Sequence, residues 1–544
     1  MKETHRVDVA IIGVGTAGQS AAREVSKVTD DFIVIDDRLR GTTCAYAGCM
    51  PSKVLIQMAE DFHRSRSLKG QGVRGAAELE LDPAVVMARV REMRDAFVSG
   101  SASGMTKLGR HLIQGTARFL GPQHLEVKTE KSEENEQSED SEDSVHHIHH
   151  IHPNKTIIAT GSNPMVPEPW KALSPYVLTT EDLFEVATLP KSLAVIGLGP
   201  VGLELGQALA RLDVEVHGFD LASTVGNLSD PAVASSAQRE IQKDLAIHLN
   251  TKVDLTENPD GPGLLVKAFP QEQTNQGDAH RGDAQQGDDQ QGDAQQGDDQ
   301  QGDAQQSASP FEVPVDAALV TVGRPSNLEP LTLENAGVLL KEGGRPEVDP
   351  TTCRIQDLPI YLAGDASGRR AVLHEASDEG RIAGYNAARS SDYCFSRRVP
   401  LSILFTDPNI VHVGRSFKRL LEPDKPVSVH TLDDREVVVG EMDFAHQSRA
   451  KILGRAHGLI HVYASKKTGK LLGAQLAVPH GEHLGHLLAW AIQNDLTVFD
   501  LLSQVYYHPT VEEGLRRALR HAAKQTAVSA PSHELALCDS CSCV

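Results

Sequence analysis

Residues 7–22, VDVAIIGVGTAGQSAA, decide the fold of this chain. The apolar run predicts a buried strand, and the small residues after it predict a helix that packs close to that strand. Gly13, Gly15 and Gly18 have the GxGxxG spacing of a dinucleotide-binding turn. The next apolar run, FIVID, ends in Asp36, where the ribose of a dinucleotide needs a hydrogen-bond acceptor. The stretch therefore predicts a Rossmann-like unit.

The same pattern occurs a second time in SLAVIGLGPVGLELGQALARL, residues 192–212. Its glycines are Gly197, Gly199 and Gly202, and the following run VEVHGFD ends in Asp220. One GxGxxG is weak evidence, but two copies, each with strand, helix and terminal acid, predict two dinucleotide-binding domains. Asp220 would repel a 2′-phosphate, and the residues LAST after it offer no arginine to bind one. The second domain should therefore prefer NAD over NADP.

A close pair of cysteines, Cys44 and Cys49, lies in GTTCAYAGCMPSK, residues 41–53. A metal half-site, a buried inert pair and a redox-active disulfide are the alternatives. Five residues of regular α-helix rise about 7.5 Å, whereas a disulfide needs Cα atoms within about 6.8 Å. Cys44 should therefore lie in a turn, followed by a helix that has Cys49 at its N-terminus and Pro51 in its first turn. Because a helix N-terminus favours a thiolate, this arrangement suits a reactive dithiol.

Length and composition predict a multidomain cytoplasmic protein. The 544 residues are enough for about three or four domains. We find no secretory pattern and no apolar run long enough to indicate a membrane span, so we expect no membrane partner. In a reducing cytosol, a close cysteine pair is more often catalytic than structural. The net charge of −21 comes mostly from residues 128–152 and 271–308, and no basic patch indicates a nucleic-acid partner.

These two acidic stretches are expected to be inserts in surface loops between strands. Residues 271–308 repeat a five-residue unit containing QGD, with no apolar residue larger than alanine, which predicts disorder. Calcium binding is the alternative, although the nine-residue register of calcium-binding β-rolls is missing. Residues 128–152 end in HHIHHIH, whose imidazoles are possible transition-metal ligands. A solvated low-complexity turn is the favoured interpretation of this segment.

Two dinucleotide sites and a reactive dithiol predict an electron relay, in which a nicotinamide exchanges hydride with a flavin and the flavin exchanges electrons with the cysteines. The motifs resemble those of the class I pyridine nucleotide–disulfide oxidoreductases. GTTCAYAGCMPSK resembles the redox-active disulfide motif of that family, and IIATGSNP and IYLAGDASG resemble its flavin segments. ALVTVGRPSN resembles the end of its NAD domain, and VYYHPTVEEGLRRAL resembles its dimerisation domain.

The resemblance implies an α/β fold with two Rossmann-like domains, which bind FAD and NAD, and an α+β dimerisation domain of a homodimer. The implied domain order is a first FAD segment at 1–174, an NAD domain at 175–325, a second FAD segment at 326–396, a dimerisation domain at 397–525 and a flexible cysteine-containing tail at 526–544.

The resemblance also implies roles for the residues around the cysteine motif. Cys49 is expected to be the flavin-facing sulfur, whose thiolate forms the charge-transfer complex, and Cys44 the exposed interchange thiol. Lys53 is expected near flavin N5 and paired with Glu204, two residues after the third glycine of the NAD fingerprint.

His508, in the sequence HPTVEE, is the implied acid–base, which reaches the active site of the partner subunit while Glu513 holds its imidazole. The chemistry needs such a base because a dithiol has to lose protons before it attacks a disulfide. No metal ligand is assigned. The implied cofactor contacts are Gly13, Gly15, Gly18, Asp36, Lys53, Ala117, Thr160, Gly161, Ser162, Gly197, Gly199, Gly202, Asp220, Val253, Gly323, Arg324, Asp365 and Leu373.

Differences among family members favour one activity. Soluble transhydrogenases lack the second cysteine, mercuric reductases usually have tyrosine in place of His508, and glutathione reductases have arginines after the second fingerprint. The expected reaction is therefore oxidation of protein-bound dihydrolipoamide, or of a small dithiol, with reduction of NAD+. One alternative is reduction of another disulfide or of Hg(II), assisted by a tail that contains Cys538, Cys541 and Cys543. A metal-buffering scaffold on a retired enzyme fold is the other.

Overall fold

The computed structural model describes residues 2–39, 41–129, 147–271, 309–421, 436–529 and 534–535. The predictions for the QGD repeat and for the tail cysteines lie outside these residues. None of the described helices is long and apolar enough to cross a lipid bilayer.

The N-terminal sheet is built on the first fingerprint. Its strand order is β3-β2-β1-β6-β5-β4, and β15 pairs with β6. Val9, Ala10 and Ile11 are fully buried, as expected for a parallel strand that is covered on both faces. The elements of this part are β1 (Lys2–Ile12), α1 (Thr16–Val25), β2 (Phe32–Asp36), α2 (Thr43–Tyr46), α3 (Cys49–Leu68), α4 (Pro83–Thr106), β3 (Leu112–Gln114), β4 (Thr116–Gly121), β5 (His124–Thr129), β6 (His147–Ile158) and, later in the chain, β15 (Ile360–Leu362) and α9 (Leu373–Ala387).

A second parallel sheet is built on the second fingerprint, with the strand order β10-β9-β8-β14-β7. Beside it lies an antiparallel sheet in the order β11-β12-β13. The elements of this part are α5 (Glu168–Lys171), β7 (Val177–Leu178), α6 (Thr180–Leu183), β8 (Ser192–Ile196), α7 (Pro200–Arg211), β9 (Glu215–Phe219), α8 (Pro231–Ile241), β10 (Ala246–His248), β11 (Thr251–Glu257), β12 (Leu264–Pro270), β13 (Phe311–Val315) and β14 (Ala317–Val320).

The C-terminal sheet is antiparallel, in the order β16-β17-β20-β19-β18. Its core is formed by the inward residues of this sheet and the apolar faces of α12 and α14. The elements of this part are β16 (Leu401–Leu404), β17 (Asn409–Gly414), α10 (Phe417–Leu421), β18 (Val437–Asp443), α11 (Ser448–Leu453), β19 (Leu459–Ser465), β20 (Leu471–Val478), α12 (Gly481–Gln493), α13 (Val498–Leu502) and α14 (Glu512–Ala523).

These sheets confirm the predicted fold class, two Rossmann-like α/β units followed by an α+β unit. One buried cluster joins all three, because it contains Leu55 of α3, Leu203 of α7 and Leu404 of β16. The helix that carries the cysteine motif therefore packs against both the second fingerprint and the C-terminal unit. The domain boundaries stay predictions.

Both acidic inserts lie between strands that pair with each other, as expected. β12 and β13 flank residues 271–308 and are antiparallel neighbours, and β5 and β6 flank the first insert in the same way.

The predicted turn at the end of the first insert is wrong. The insert was expected to run to about residue 152, but β6 already begins at His147. Residues 148–152 pair in parallel with residues 2–6 of β1, which is longer than its apolar run. On the other side, His147 to Ile151 pair with β5. Backbone hydrogen bonds to two neighbouring strands hold this histidine-rich segment extended, although its side chains have no apolar alternation.

Candidate functional site

The two glycine loops have the same local geometry. Gly13 and Gly197 lie at positive φ, +100° and +95°, where a side chain would be strained. A Cβ on Gly18 would come within 1.9 Å of the Gly13 carbonyl oxygen, so this glycine allows the close contact of helix and strand. A Cβ on Gly15 would meet no atom within 4 Å. The second loop repeats this, since Gly199 is open and Gly202 is packed.

The open middle glycine in each loop lies at the N-cap of a helix. Gly15 caps α1 and Gly199 caps α7, and neither helix has a side-chain cap. Uncapped N–H groups and the helix dipole favour an anionic group at this place. Both loops therefore fit the pyrophosphate of a dinucleotide.

The acid at the end of each following strand holds its glycine loop. An Asp36 carboxylate oxygen accepts a hydrogen bond of 2.8 Å from the Val14 N–H. An Asp220 carboxylate oxygen accepts one of 2.6 Å from the Leu198 N–H, and its other oxygen accepts one from Ala222. Each carboxylate is thus positioned beside the open glycine, where a ribose hydroxyl would lie in a bound dinucleotide.

The cysteine motif spans two helices. Cys44 lies in α2, a single helical turn that precedes α3, and Thr42 caps it by accepting a hydrogen bond from the Ala45 N–H. Cys49 is the first residue of α3, and Pro51 lies in the first turn of that helix. Both cysteines are free thiols. Cys44 was expected to be the exposed thiol, but it is half-buried because α2 packs against α3 and α4, whereas Cys49, at the start of α3, is exposed.

The two thiols perturb each other's pKa values. A hydrogen bond between them raises the pKa of Cys44 above its usual range, and burial adds to this effect. The same hydrogen bond, opposed by burial and helped by the charge of Lys53, lowers the pKa of Cys49 to about 6. At neutral pH the pair therefore holds one thiolate, at Cys49.

Lys53 pairs with Glu204 across the two Rossmann-like units. The Lys53 ammonium donates a hydrogen bond of 2.7 Å to one Glu204 oxygen. The other oxygen of this buried carboxylate accepts one of 2.7 Å from the Phe405 N–H. The Lys53 nitrogen also lies 4.9 Å from the centre of the Phe405 ring.

Phe405 was missed by sequence reasoning. It lies in the expected dimerisation domain, residues 397–525, and was given no role in the site. An aromatic residue at the end of a strand is too common to stand out, and its contact with Glu204 joins residues 201 positions apart. No local pattern could have found it.

Three of the expected cofactor contacts form one network. The Ser162 hydroxyl donates to Asp365, and the Arg324 guanidinium donates to the Ser162 carbonyl oxygen at 2.9 Å. Thr160 lies beside this network and donates to the Asn327 carbonyl oxygen at 2.7 Å. The network joins the loop after β6 to the segments that precede α9.

Other expected contacts are scattered along the chain. Ala117 is buried in β4, Val253 lies in β11, and Leu373 begins α9 with its side chain exposed. Gly161 and Gly323 lie at positive φ, and a Cβ on either would meet no atom within 4 Å.

His508 and Glu513 form a hydrogen-bonded pair on the C-terminal unit. The His508 Nδ1 lies 3.1 and 3.0 Å from the two Glu513 carboxylate oxygens. Burial is the largest single effect and raises the pKa of Glu513, but the hydrogen bonds from His508 and the Thr510 N–H, together with nearby positive charge, outweigh it and lower the pKa. The His508 side chain is 73% exposed. Within the described part of the chain, no hydrogen bond or ion pair joins His508 to the cysteine motif.

Comparison with known proteins adds the family. The family model described as pyridine nucleotide-disulphide oxidoreductase matches residues 7–380, and the model for the dimerisation domain of that family matches residues 401–519. A dihydrolipoyl dehydrogenase of Thermus scotoductus is 29% identical over 524 residues, with 95% of this chain and 98% of the relative covered. The dihydrolipoyl dehydrogenase of Haloferax volcanii is 28% identical, with 95% and 96% covered.

Solved structures support the same fold. The HOCl-induced flavoprotein disulfide reductase RclA from Escherichia coli, in its Cu(II) complex, superposes with a TM-score of 0.71 at 20% identity and covers 95% of this chain and 99% of its own. LpdA from Mycobacterium tuberculosis superposes with a TM-score of 0.70 at 21% identity, covering 95% and 99%.

Proposed function

The chain belongs to the pyridine nucleotide–disulphide oxidoreductase family, and on this premise we propose that it oxidises protein-bound dihydrolipoamide to lipoamide and reduces NAD+ to NADH in the cytoplasm. FAD and NAD are the cofactors of the family. Bound FAD supplies a group that passes two electrons between the cysteine pair and the nicotinamide. The observation that carries the proposal is the hydrogen-bonded pair His508–Glu513, because an acid–base of this kind suits a dithiol substrate.

The cysteines take up the electrons of the substrate by thiol–disulfide exchange. In the oxidised enzyme, a substrate thiolate attacks the Cys44 sulfur, which forms a mixed disulfide and releases Cys49 as a thiolate. The second substrate thiolate then attacks the substrate sulfur of that bond and releases Cys44. The substrate leaves as a disulfide, and the two electrons remain on the cysteine pair. The positive charge of Lys53 favours the first step because it stabilises the Cys49 thiolate that leaves.

His508 accepts the protons that the substrate loses. Its Nε2 is left for the substrate, since Nδ1 faces the Glu513 carboxylate at 3.0 Å. The carboxylate orients the ring and stabilises the positive charge that appears when the imidazole is protonated. Because His508 is largely exposed, we propose that it acts in the active site of a partner subunit of a homodimer.

A substrate panel tests the reaction. The purified enzyme is assayed for NAD-linked dihydrolipoamide oxidation and for NADH- and NADPH-linked reduction of glutathione disulfide and of Hg(II). We expect dihydrolipoamide with NAD+ to give the highest kcat/KM. A higher kcat/KM for glutathione disulfide or Hg(II) would contradict the proposed reaction and favour the alternative, NAD(P)H-dependent reduction of that substrate. The Cys44→Ser variant is the control, since it should lose every dithiol and disulfide activity while NADH oxidation by an artificial flavin acceptor persists.

A further inference from the structure

Three side chains at the beginning of β1 and β6 meet at one place. Glu3 and His5 are two residues apart in β1 and therefore project from the same face of the sheet. In the parallel register, Glu3 lies opposite His149 of β6. The three side chains have no part in the dinucleotide or cysteine sites.

Their ligand atoms are spaced as in a metal site. The His5 Nε2 lies 3.1 Å from the His149 Nδ1. A Glu3 carboxylate oxygen lies 3.1 Å from that same His149 nitrogen and 3.7 Å from the His5 nitrogen. A tetrahedral zinc ion with bonds of about 2.0–2.1 Å holds its ligand atoms about 3.3 Å apart. The three distances bracket this value.

The site is partly buried but accessible. The side chains of His149 and His5 are 17% and 30% exposed, whereas Glu3 is exposed and leaves the site open to solvent. A metal ion can therefore enter from the solvent side, where water can complete its coordination.

The opposite face of β6 carries a second group of imidazoles, which is less suited to a cation. There, His124 lies 3.1 Å from His150 and stacks on His152 with ring centres 4.3 Å apart. Stacked rings do not direct their nitrogens to one point, and no carboxylate belongs to this set of ligand atoms among the described residues. The set of Glu3, His5 and His149 has ligand atoms close enough to share one metal ion, and its carboxylate supplies a negative charge.

We propose that Glu3, His5 and His149 bind one divalent transition-metal ion such as Zn(II), with water as the fourth ligand. The ion cross-links β1 to β6 at the end of β1 that lies opposite the glycine loop. The ten or so residues of strand between Glu3 and Gly13 span about 30 Å, so the ion takes no part in electron transfer. Its effect is on stability, because a ligand that binds only the folded chain stabilises it.

Zinc titration of the full-length holoenzyme tests this proposal. The protein is dialysed against EDTA, and its accessible thiols are alkylated with iodoacetamide so that the tail cysteines do not bind the metal. Zn(II) binding is followed by calorimetry, and the melting temperature is measured with and without Zn(II), with Mg(II) as the control ion. We expect each chain to bind one Zn(II) ion tightly at this site and to melt at a higher temperature when Zn(II) is present. Mg(II) should have no effect.

Four variants locate the ion. His149→Gln and the exposed Glu3→Gln should each weaken Zn(II) binding at this site by about 100-fold and abolish the rise in melting temperature. An unchanged flavin content shows that both variants fold. His446→Gln removes an exposed histidine elsewhere and should bind as wild type does. His150→Gln, on the opposite face of β6, should bind Zn(II) with the wild-type affinity and show the same rise in melting temperature. Wild-type affinity in His149→Gln or Glu3→Gln, or loss of the shift in His150→Gln alone, would overturn the assignment.

Discussion

At the scale of single residues, the division of labour in the cysteine motif follows from one hydrogen bond. The Cys44 thiol donates to Cys49, so that the proton stays on Cys44 and the charge on Cys49. Lys53, one helical turn further along α3, adds a positive charge close to the thiolate. The half-buried thiol and the exposed thiolate thus differ in protonation although the two residues are chemically identical.

The first prediction concerns the pH dependence of this thiolate. Because the pKa of Cys49 is lowered to about 6, the thiolate persists above that pH and is lost as the pH falls through it. In the two-electron-reduced enzyme, we expect the long-wavelength charge-transfer band to fade on acidification with a midpoint near this value. Lys53→Met should move the midpoint to higher pH, since it removes a charge that favours the thiolate.

Serine variants of the two cysteines identify the sulfur that gives the charge-transfer band. Cys49→Ser should abolish the band, whereas Cys44→Ser should keep it because its hydroxyl still donates to Cys49. A band that survives in Cys49→Ser would reverse the assignment of the two sulfurs.

The second prediction concerns Asp220. Its replacement by alanine removes both an acceptor for the ribose and the hydrogen bond that holds the Leu198 N–H. We expect NAD binding to weaken by roughly 1.5–3 kcal/mol, or about 10- to 150-fold, as measured by titration. FAD content should not change, since Asp36 holds the other loop. If the wild-type enzyme already prefers NADPH, the interpretation of Asp220 is wrong.

At the scale of elements, α7 links the three parts of the molecule. Its N-terminus forms the second glycine loop, and Glu204 follows the last glycine of that loop by two residues. The buried carboxylate reaches Lys53 of α3 and the backbone at Phe405, just after β16. The helix of the second glycine loop is therefore in direct contact with the helix that begins at Cys49.

The third prediction tests this contact. Glu204→Gln keeps an acceptor for the Phe405 N–H but leaves Lys53 without its counter-charge. We expect the free energy of unfolding to fall by about 1–3 kcal/mol, the usual cost of losing a hydrogen bond to a charged group. Guanidinium unfolding followed by flavin fluorescence measures it. Glu168→Gln, which breaks an exposed ion pair with Lys171, is the control and should change the value by less than about 0.5 kcal/mol. Equal effects of the two substitutions would contradict the claim that the buried Glu204–Lys53 pair stabilises the fold more than an exposed ion pair does.

At the scale of the whole molecule, the proposed acid–base lies on a different unit from the cysteine motif. His508 is exposed on the C-terminal unit, beside Val505 and Tyr507, whose exposed fractions are 94% and 79%. Exposed apolar residues next to an oriented acid–base are typical of a surface that another subunit covers. This arrangement supports the proposed homodimer in which each active site contains residues of both chains.

The fourth prediction tests the shared site. His508→Ala should lower dihydrolipoamide oxidation by about 10²-fold or more, the usual contribution of a positioned acid–base. NADH oxidation by an artificial flavin acceptor should be spared, and a parallel loss of both activities would indicate a structural role.

Mixed dimers extend this test. A dimer of one Cys49→Ser chain and one His508→Ala chain has one intact site if His508 acts across the interface, and none if it acts within its own chain. We therefore expect separately tagged, co-expressed chains to recover about half of the wild-type activity in the mixed dimer. An inactive mixed dimer would place His508 in the site of its own subunit.

The amino-acid sequence by itself determined the features that depend on neighbouring residues. The strand, loop and helix of each fingerprint lie within about 30 residues, so their pattern predicted the two Rossmann-like units and their glycine loops. In the same way, Pro51 and the spacing of Cys44 and Cys49 predicted a cysteine at the start of α3. The resemblance to a known family added His508 and Glu513, which form a local pair five residues apart.

Only the tertiary structure decided the contacts between distant segments. The histidines of β6 were assigned to a turn because their composition is polar, but pairing with β1, about 146 positions away, makes them a strand and places His149 beside Glu3. The contact of Glu204 with Phe405 was hidden for the same reason. Backbone pairing and burial join residues by their position in space, and neither depends on a pattern that a single segment carries.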